Sequence, residues 1–196
     1  MIGIALRGGS YALFPTLLLR WKAMPDSDHR GRLIEASLRR AASDPGVRRS
    51  NEGPAWHSEE DLFAPDSQWP IDEIATEIRS AVERYLSADL AVPVARRIDL
   101  VGWVNVLEPG GWNSPHNHPN CSLAGVVWLQ GQGRLALLDP RRATHFHPPG
   151  IDSRDRLYFD PTPGDAVLFP ASLYHWVEPN PGPTPRISVG FNVYIT

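Results

Sequence analysis

The chain has 196 residues, a formal charge of −3, 20 prolines and a single cysteine. A nearly neutral chain without a basic block argues against nucleic-acid binding, and one cysteine excludes an internal disulfide and fits a reducing, cytoplasmic compartment. No apolar run approaches the roughly 20 residues of a membrane span, so we expect no membrane association. The length suits one domain over residues 1–196, with residues 1–93 supporting a core formed by residues 94–196.

The N-terminal half contains two amphipathic helices separated by a polar segment. In chain order we predict a strand Tyr11–Lys22, a helix from about Arg30 to Ala42 capped by Ser27 or Asp28, a polar loop Val47–Trp69 and a helix Pro70–Leu90. A loop of that length in a compact domain is commonly functional. Trp56 and His57 within it are predicted either to face a substrate or to pin the loop to the core.

The C-terminal half changes to short apolar runs separated by turn residues. The predicted strands are Ala95–Leu107, Ser122–Gln130, Arg134–Leu138, Leu157–Phe159, Asp165–Phe169, His175–Pro179 and Arg186–Thr196. Helices followed by many antiparallel-looking strands indicate an α+β, mainly β fold, with the strands forming a sandwich or barrel.

A histidine pair stands out in the stretch Trp112–Asn120. His116 and His118 lie two residues apart, so on an extended strand both side chains point to one face. Imidazole suits Fe, Zn, Cu and Ni, and the pair predicts a metal site. The alternative is two surface histidines on a turn. A second pair, His145 and His147, competes with it, but its proline-rich loop is a poorer place for a rigid site.

A third histidine and an arginine fall in the last predicted strands. His175 begins one strand and Arg186 begins the next, across a turn rich in proline and glycine, so the two residues can be close in space. A guanidinium can bind a carboxylate through two hydrogen bonds, and Ser188 two residues on would point to the same face. The alternative for Arg186 is an ion pair with a nearby carboxylate.

Four stretches of the C-terminal half together resemble a known family. They are Gly110-Gly-Trp-Asn113, His116-x-His118-Pro, Gly164-Asp-Ala-Val-Leu-Phe-Pro170 and Arg186-Ile-Ser188-Val-Gly-Phe-Asn192. The pattern resembles the small Fe(II)/2-oxoglutarate oxygenases of bacteria and phages, which are similar to the prolyl and aspartyl hydroxylases. It covers most of Val101–Thr196, and the segment Ser50–Ser58 is also similar. The resemblance implies a double-stranded β-helix, or jelly-roll barrel, with an N-terminal strand and two supporting helices.

The same resemblance implies roles for particular residues. His116 would be the first iron ligand and His175 the distal one. Where the family usually has a carboxylate ligand this chain has His118, so either three histidines hold the iron or His118 lies beside it and a water takes its place. Arg186 and Ser188 would bind 2-oxoglutarate. The remaining candidates are Asn105, Asn113 and Ser122 for contacts to the co-substrate, and Asn117, Asp139 and Asp165 for the missing carboxylate position.

The implied activity is a dioxygenase that uses Fe(II), 2-oxoglutarate and O₂ to hydroxylate a C–H bond of an amino acid, a peptide or a small metabolite. Substrate contacts are expected from the loops Val47–Trp69 and Arg141–Arg156. One alternative is a cupin, which shares the barrel, although the glutamate that a cupin places soon after its histidine pair is missing from Pro119–Leu123. Another is a metal-free barrel that binds a small molecule.

Overall fold

The computed structural model of the protein describes residues 16–89, 97–139 and 156–196. Its strands in chain order are β1 (Leu19–Lys22), β2 (Asn51–Glu52), β3 (Ala55–His57), β4 (Ile98–Leu107), β5 (Trp112–His116), β6 (Leu123–Gln130), β7 (Leu135–Leu138), β8 (Arg156–Phe159), β9 (Asp165–Pro170), β10 (His175–Val177) and β11 (Arg186–Ile195). One sheet has the order β1-β9-β6-β11-β4-β3 and the other has the order β2-β5-β10-β7-β8. Every pairing recorded between these strands is antiparallel, as predicted.

The inner faces of the two sheets form one of the two hydrophobic cores. It contains Leu107, Trp128 and Phe169 from the larger sheet and Leu135 and Val177 from the smaller one, all of them buried. Successive residues of a strand point to opposite faces, so the larger sheet can bury both of its sides. The space between the sheets is the barrel interior.

The central strand β11 shows this alternation along its length. It is hydrogen-bonded to β4 on one side and β6 on the other. Its odd-numbered residues belong to the outer hydrophobic core, namely Ile187, Val189, Phe191 and Val193. Its even-numbered residues face the barrel interior, namely Arg186, Ser188, Gly190 and Asn192. One strand therefore contributes both to the core that packs against the helices and to the barrel interior.

Two helices cover the outer face of the larger sheet. Helix α1 spans Ser27–Ser43, and helix α2 spans Asp72–Arg84 and continues into a π-helical turn at Tyr85–Asp89. The buried residues Leu33, Ile74, Ile78 and Val82 of the helices share the outer core with the sheet. No helix in the described ranges is both long and apolar enough to cross a bilayer.

The first helix begins at Ser27, three residues before the predicted Arg30, and its cap lies one or two residues before the predicted Ser27 or Asp28. The helix is capped by Asp26, whose carboxylate accepts a hydrogen bond from the backbone N–H of Asp28 at 2.8 Å. Neither Ser27 nor Asp28 is the cap, since both lie inside the helix. The predicted end is confirmed, because Asp44 is the C-cap and Gly46 has the left-handed φ of 67° that glycine tolerates.

The polar segment Val47–Trp69 is more ordered than the predicted loop. It contains β2 and β3, which pair with β5 and β4 respectively. Strand β5 was not among the predicted strands, and β1 is shorter than the predicted Tyr11–Lys22, of which residues 11–15 lie outside the described residues. The described residues 16–89 therefore supply the strands β1, β2 and β3 to the two sheets.

Candidate active site

Three histidines converge at one end of the barrel. His116 ends β5, His118 follows two residues later, and His175 begins β10, which pairs with β5. His118 is held in place by its backbone N–H, which donates to the carbonyl of Ala171 at 2.9 Å. One potential ligand atom from each of the three imidazoles lies within 4.8 Å of the others. The predicted convergence of these three residues is therefore observed.

Hydrogen bonds fix which ring nitrogen can bind a metal in two of these histidines. Nδ1 of His116 lies 2.6 Å from the carbonyl oxygen of Ser114, and Nδ1 of His175 lies 2.9 Å from that of Leu173. A carbonyl only accepts, so each Nδ1 carries the proton and donates it. In the neutral ring Nε2 then keeps its lone pair, which is the usual arrangement of a metal-binding histidine.

Burial keeps the three rings neutral. It lowers the pKa of His175 to about 3, with a further contribution from the neighbouring His116, and that of His118 to about 4 for the same two reasons. Burial also lowers the pKa of His116, against the opposing effect of its bond to Ser114. Neutral imidazoles can bind a metal at neutral pH without first losing a proton.

No carboxylate joins the cluster within the described part of the chain. Asp165 is engaged at the start of β9, where it forms salt bridges with Arg20 at 2.9 Å and with Lys22 at 2.5 Å. Asn117 donates to the carbonyl of Ser172 at 3.4 Å, and Asp139 is not in the cluster. Of the two readings of His118, this placement favours three histidine ligands, a donor set that suits iron. His145 and His147 lie outside the described residues.

Arg186 is buried inside the barrel with part of its guanidinium unpaired. Nε donates to the carbonyl of Gly133 at 3.2 Å, and Nη1 donates to Oγ of Ser188 at 2.8 Å. Nη2 is buried and has no hydrogen-bond partner among the described residues, where no salt bridge to Arg186 is found either. Burial lowers its pKa to about 10, so the group is still a cation at neutral pH. A buried cation with a free donor fits the carboxylate of a ligand.

The other predicted contacts to the co-substrate divide into two groups. Asn105 and Asn113 line an inner cavity together with Ser188 and the three histidines. Oδ1 of Asn105 is buried without a partner in the described chain, and Nδ2 of Asn113 donates to Oγ of Ser50 at 3.2 Å. Ser122 is exposed and is not among the residues that line this cavity. Its backbone bonds to Val193 and Ala171, so its placement gives no support to the predicted role.

An outer pocket of about 390 Å³ opens above the histidines, and its lining residues Arg49, Glu60 and Asn192 were not identified from the sequence. Its lining includes His116, His118, Arg49, His57, Glu60, Trp103 and Asn192, and this site is called the outer pocket from here on. His57 stacks on Trp103 with ring centroids 5.5 Å apart, and Trp103 lies over His118 at 5.7 Å. Burial lowers the pKa of His57 as well.

Trp56 and His57 thus take the two roles between which the sequence left a choice. Nε1 of Trp56 donates to the carbonyl of Asp44 at 2.8 Å and ties the segment to the end of helix α1, whereas His57 faces the pocket. Asn192 could have been found by extending the two-residue period from Arg186 and Ser188 along β11.

Residues 102–192 match the family model described as "Putative 2OG-Fe(II) oxygenase". A prolyl-4-hydroxylase from Pseudomonas putida is similar in structure, with a TM-score of 0.60 and 15% identity, over 90% of this chain and 91% of that chain. The α-ketoglutarate-dependent non-haem epimerase SnoN of nogalamycin biosynthesis has a TM-score of 0.64 and 17% identity, over 90% and 76% of the two chains.

A prolyl hydroxylase from Trichoplax adhaerens, solved with a peptide fragment of the oxygen degradation domain of hypoxia inducible factor, has a TM-score of 0.61 and 13% identity over 90% of this chain and 83% of that chain. No curated protein matches the sequence.

The fold is a double-stranded β-helix with a histidine cluster at one end of the barrel. Within this fold, residues 102–192 are similar to the 2OG-Fe(II) oxygenases. This match favours a 2-oxoglutarate-dependent Fe(II) oxygenase over the cupin and the metal-free barrel, the two alternatives that the sequence had left open.

Proposed function

We propose that the chain hydroxylates a C–H bond of an amino acid, a peptide or a small metabolite. His116, His118 and His175 hold the iron, and Arg186 with Ser188 holds the distal carboxylate of 2-oxoglutarate. The observation that carries this proposal is the buried guanidinium of Arg186, whose Nη2 lacks a partner in the described chain and whose Nη1 reaches Ser188 on the wall of the cavity that holds the histidines.

The donor set fits both groups electrostatically. Three neutral imidazoles add no negative charge, so a bound divalent cation keeps its full charge. The cation and Arg186 together then favour a dianion such as 2-oxoglutarate. Asn105 and Asn113 line the inner cavity together with the three histidines and Ser188, where they can contact the co-substrate.

When bound, iron and 2-oxoglutarate supply the oxidising chemistry: O₂ is consumed, the keto acid becomes succinate and CO₂ with one of the oxygen atoms, and the second oxygen atom becomes the hydroxyl of the product. The protein residues supply geometry and a dry site. The ring of Trp103 lies over His118 on the side of the outer pocket, and the ring of His57 stacks on Trp103. Together these two rings limit the access of water to the histidines.

The test is anaerobic reconstitution with Fe(II) followed by titration with 2-oxoglutarate under visible spectroscopy. We expect a metal-to-ligand charge-transfer band that saturates at one 2-oxoglutarate per chain, and succinate on admission of O₂. Absence of the band in iron-loaded protein contradicts the assignment of Arg186 and the histidines. A product that gains one oxygen atom supports hydroxylation, whereas a product of unchanged composition points to the kind of reaction that the name of SnoN describes.

A further inference from the structure

The outer pocket contains a buried acceptor that no protein donor satisfies. Oδ1 of Asn192 has no hydrogen-bond partner among the described residues, and the whole residue is only 9% exposed. Its place on β11, two residues beyond Gly190, aims the side chain into the barrel mouth, and the residue lines the pocket. Buried polar atoms in native proteins are almost always paired, so this oxygen fits a donor from a bound ligand.

A second acceptor lies in the same pocket. Nδ1 of His57 lies 2.6 Å from the carbonyl oxygen of Ser58 and must donate to it, because a carbonyl cannot donate. In the neutral ring Nε2 is therefore an acceptor. No hydrogen bond from Nε2 of His57 to another described residue is found. Two acceptors in one pocket favour a ligand group with several N–H donors.

The rim of the pocket adds one charge of each sign. Nε of Arg49 lies 3.5 Å from Oε1 of Glu60, and the two side chains are 53% and 44% exposed. A single contact of this length between exposed groups is weak and leaves most of the hydrogen-bonding capacity of both groups unused. Glu60 adds a negative charge to the two neutral acceptors, and the guanidinium of Arg49 can bind a carboxylate.

We propose that the outer pocket binds the zwitterionic head of a free α-amino acid, with Asn192, His57 and Glu60 receiving the ammonium group and Arg49 the carboxylate. This inference rests on the proposed function and narrows its substrate. An internal peptide residue lacks both charges, so it would leave Arg49 and Glu60 without new partners. A pocket of about 390 Å³ also has the size of a small-molecule site.

The experiment uses iron-loaded protein with 2-oxoglutarate, kept anaerobic, in which the charge-transfer band has first been observed. The ligands are the twenty proteinogenic amino acids together with the N-acetyl and the carboxamide derivative of each one. Quenching of tryptophan fluorescence, to which Trp103 contributes, reports binding, and perturbation of the band reports proximity to the metal. We expect at least one free amino acid to bind at least about tenfold more tightly than both of its derivatives.

Two results would overturn the proposal. One is equal binding of the free amino acid and its derivatives, and the other is no binding of any amino acid although the band has formed. If the band itself does not form, the proposed function fails first and this inference fails with it. The two failures are therefore distinguishable.

Charge-removing variants give a sharper test. Arg49→Gln should reduce the preference for the free acid over the carboxamide to less than about threefold, and Glu60→Gln should do the same for the free amine over the N-acetyl derivative. A neighbouring ion pair is the matched control, because Arg48 and Glu52 are 2.8 Å apart and do not line the pocket. Arg48→Gln and Glu52→Gln should leave both preferences unchanged. Equal effects from the two pairs would contradict the proposal.

Discussion

His116 and His175 are direct register partners across the antiparallel pair β5–β10, with their ring centroids 4.3 Å apart. The pairing of two strands therefore brings the rings together. Each ring is also oriented by a backbone carbonyl within its own segment, Ser114 for one and Leu173 for the other. The proposed metal site is thus largely preorganised by the fold, and metal binding need not fold it.

The first prediction concerns the distal ligand. His175→Ala should weaken iron binding by at least about 100-fold, because it removes a ligand that no nearby described group can replace. Metal content after desalting and the 2-oxoglutarate band both measure this. His29→Gln is the control, since His29 is also buried but bonds to Glu73 and Pro70 away from the cluster. That variant should lower stability and keep the metal, and full metal content in His175→Ala would contradict the assignment.

The second prediction decides the role of His118. If His118 is a ligand, His118→Ala should lower iron affinity by about tenfold or more. His118→Asp should recover much of that loss, because a carboxylate is also a good iron ligand and brings a negative charge. Isothermal titration with Fe(II) under nitrogen measures both. Wild-type affinity in His118→Ala would mean that water occupies this position.

The third prediction uses the buried charge of Arg186. Arg186→Met removes a cation that lacks an anionic partner in the described chain, so the apo-protein should be unchanged or more stable by roughly 1–4 kcal/mol in denaturant unfolding. At a 2-oxoglutarate concentration of 100 times Kd, the free energy of unfolding of the wild-type protein should rise by about 2.7 kcal/mol. That of the variant should hardly change at the same concentration.

A matched arginine controls for the Arg186 variant. Arg134 forms a partly exposed ion pair with Glu178 at 2.6 Å, so Arg134→Met should change stability little and keep the gain from 2-oxoglutarate. A strong loss of stability in Arg186→Met, with the response to 2-oxoglutarate intact, would show that the arginine is a structural group.

The fourth prediction concerns the pH dependence of the metal-free protein. In the folded state the pKa values of His175 and His118 lie at about 3 and about 4, below the value of 6.5 expected when unfolded. Below pH 6.5 the unfolded state therefore binds more protons, and stability must fall as the pH falls. The contribution of each histidine to this slope is about 0.7 kcal/mol per pH unit at pH 6.5 and approaches about 1.4 kcal/mol per pH unit well below it. Urea unfolding between pH 7 and pH 5.5 measures it.

A variant isolates the histidine contribution. In His175→Asn the free energy of unfolding should depend less steeply on pH, and the difference should equal about the contribution of one histidine. An unchanged slope would mean that this imidazole is not held neutral in the folded protein. Iron should counteract the loss, since bound metal competes with protons for the same nitrogens.

Local patterns in the sequence predicted much of the fold, and long-range pairing supplied the rest. The strands around His175 and Arg186 have β-branched and aromatic residues bounded by turn residues, so their existence was predictable. Strands β2 and β3 have only two and three residues. That is too short to show a two-residue period, so the segment appeared as a loop. The role of His57 was uncertain for the same reason.

The candidate site was predictable where residue chemistry is distinctive. Two histidines two residues apart and an arginine followed by a serine are specific enough to be found without coordinates. Asn192 has no such signature, because an asparagine near the end of a strand is unremarkable until the fold places it in the same pocket as His116 and His118. Ser122 shows the opposite case: it lies near the histidines in sequence but on the surface in the fold, so its predicted role gains no support.

Strand β11 holds Arg186 near one end and Asn192 six residues on, both facing inward. At about 3.3 Å per residue the two positions are separated by about 20 Å of rigid backbone, locked between two neighbouring strands. A deletion or insertion of one residue between them would turn one of the two side chains out of the barrel. Engineering of this chain should therefore tolerate replacement of inward side chains on β11 far better than any alteration of the length of the strand.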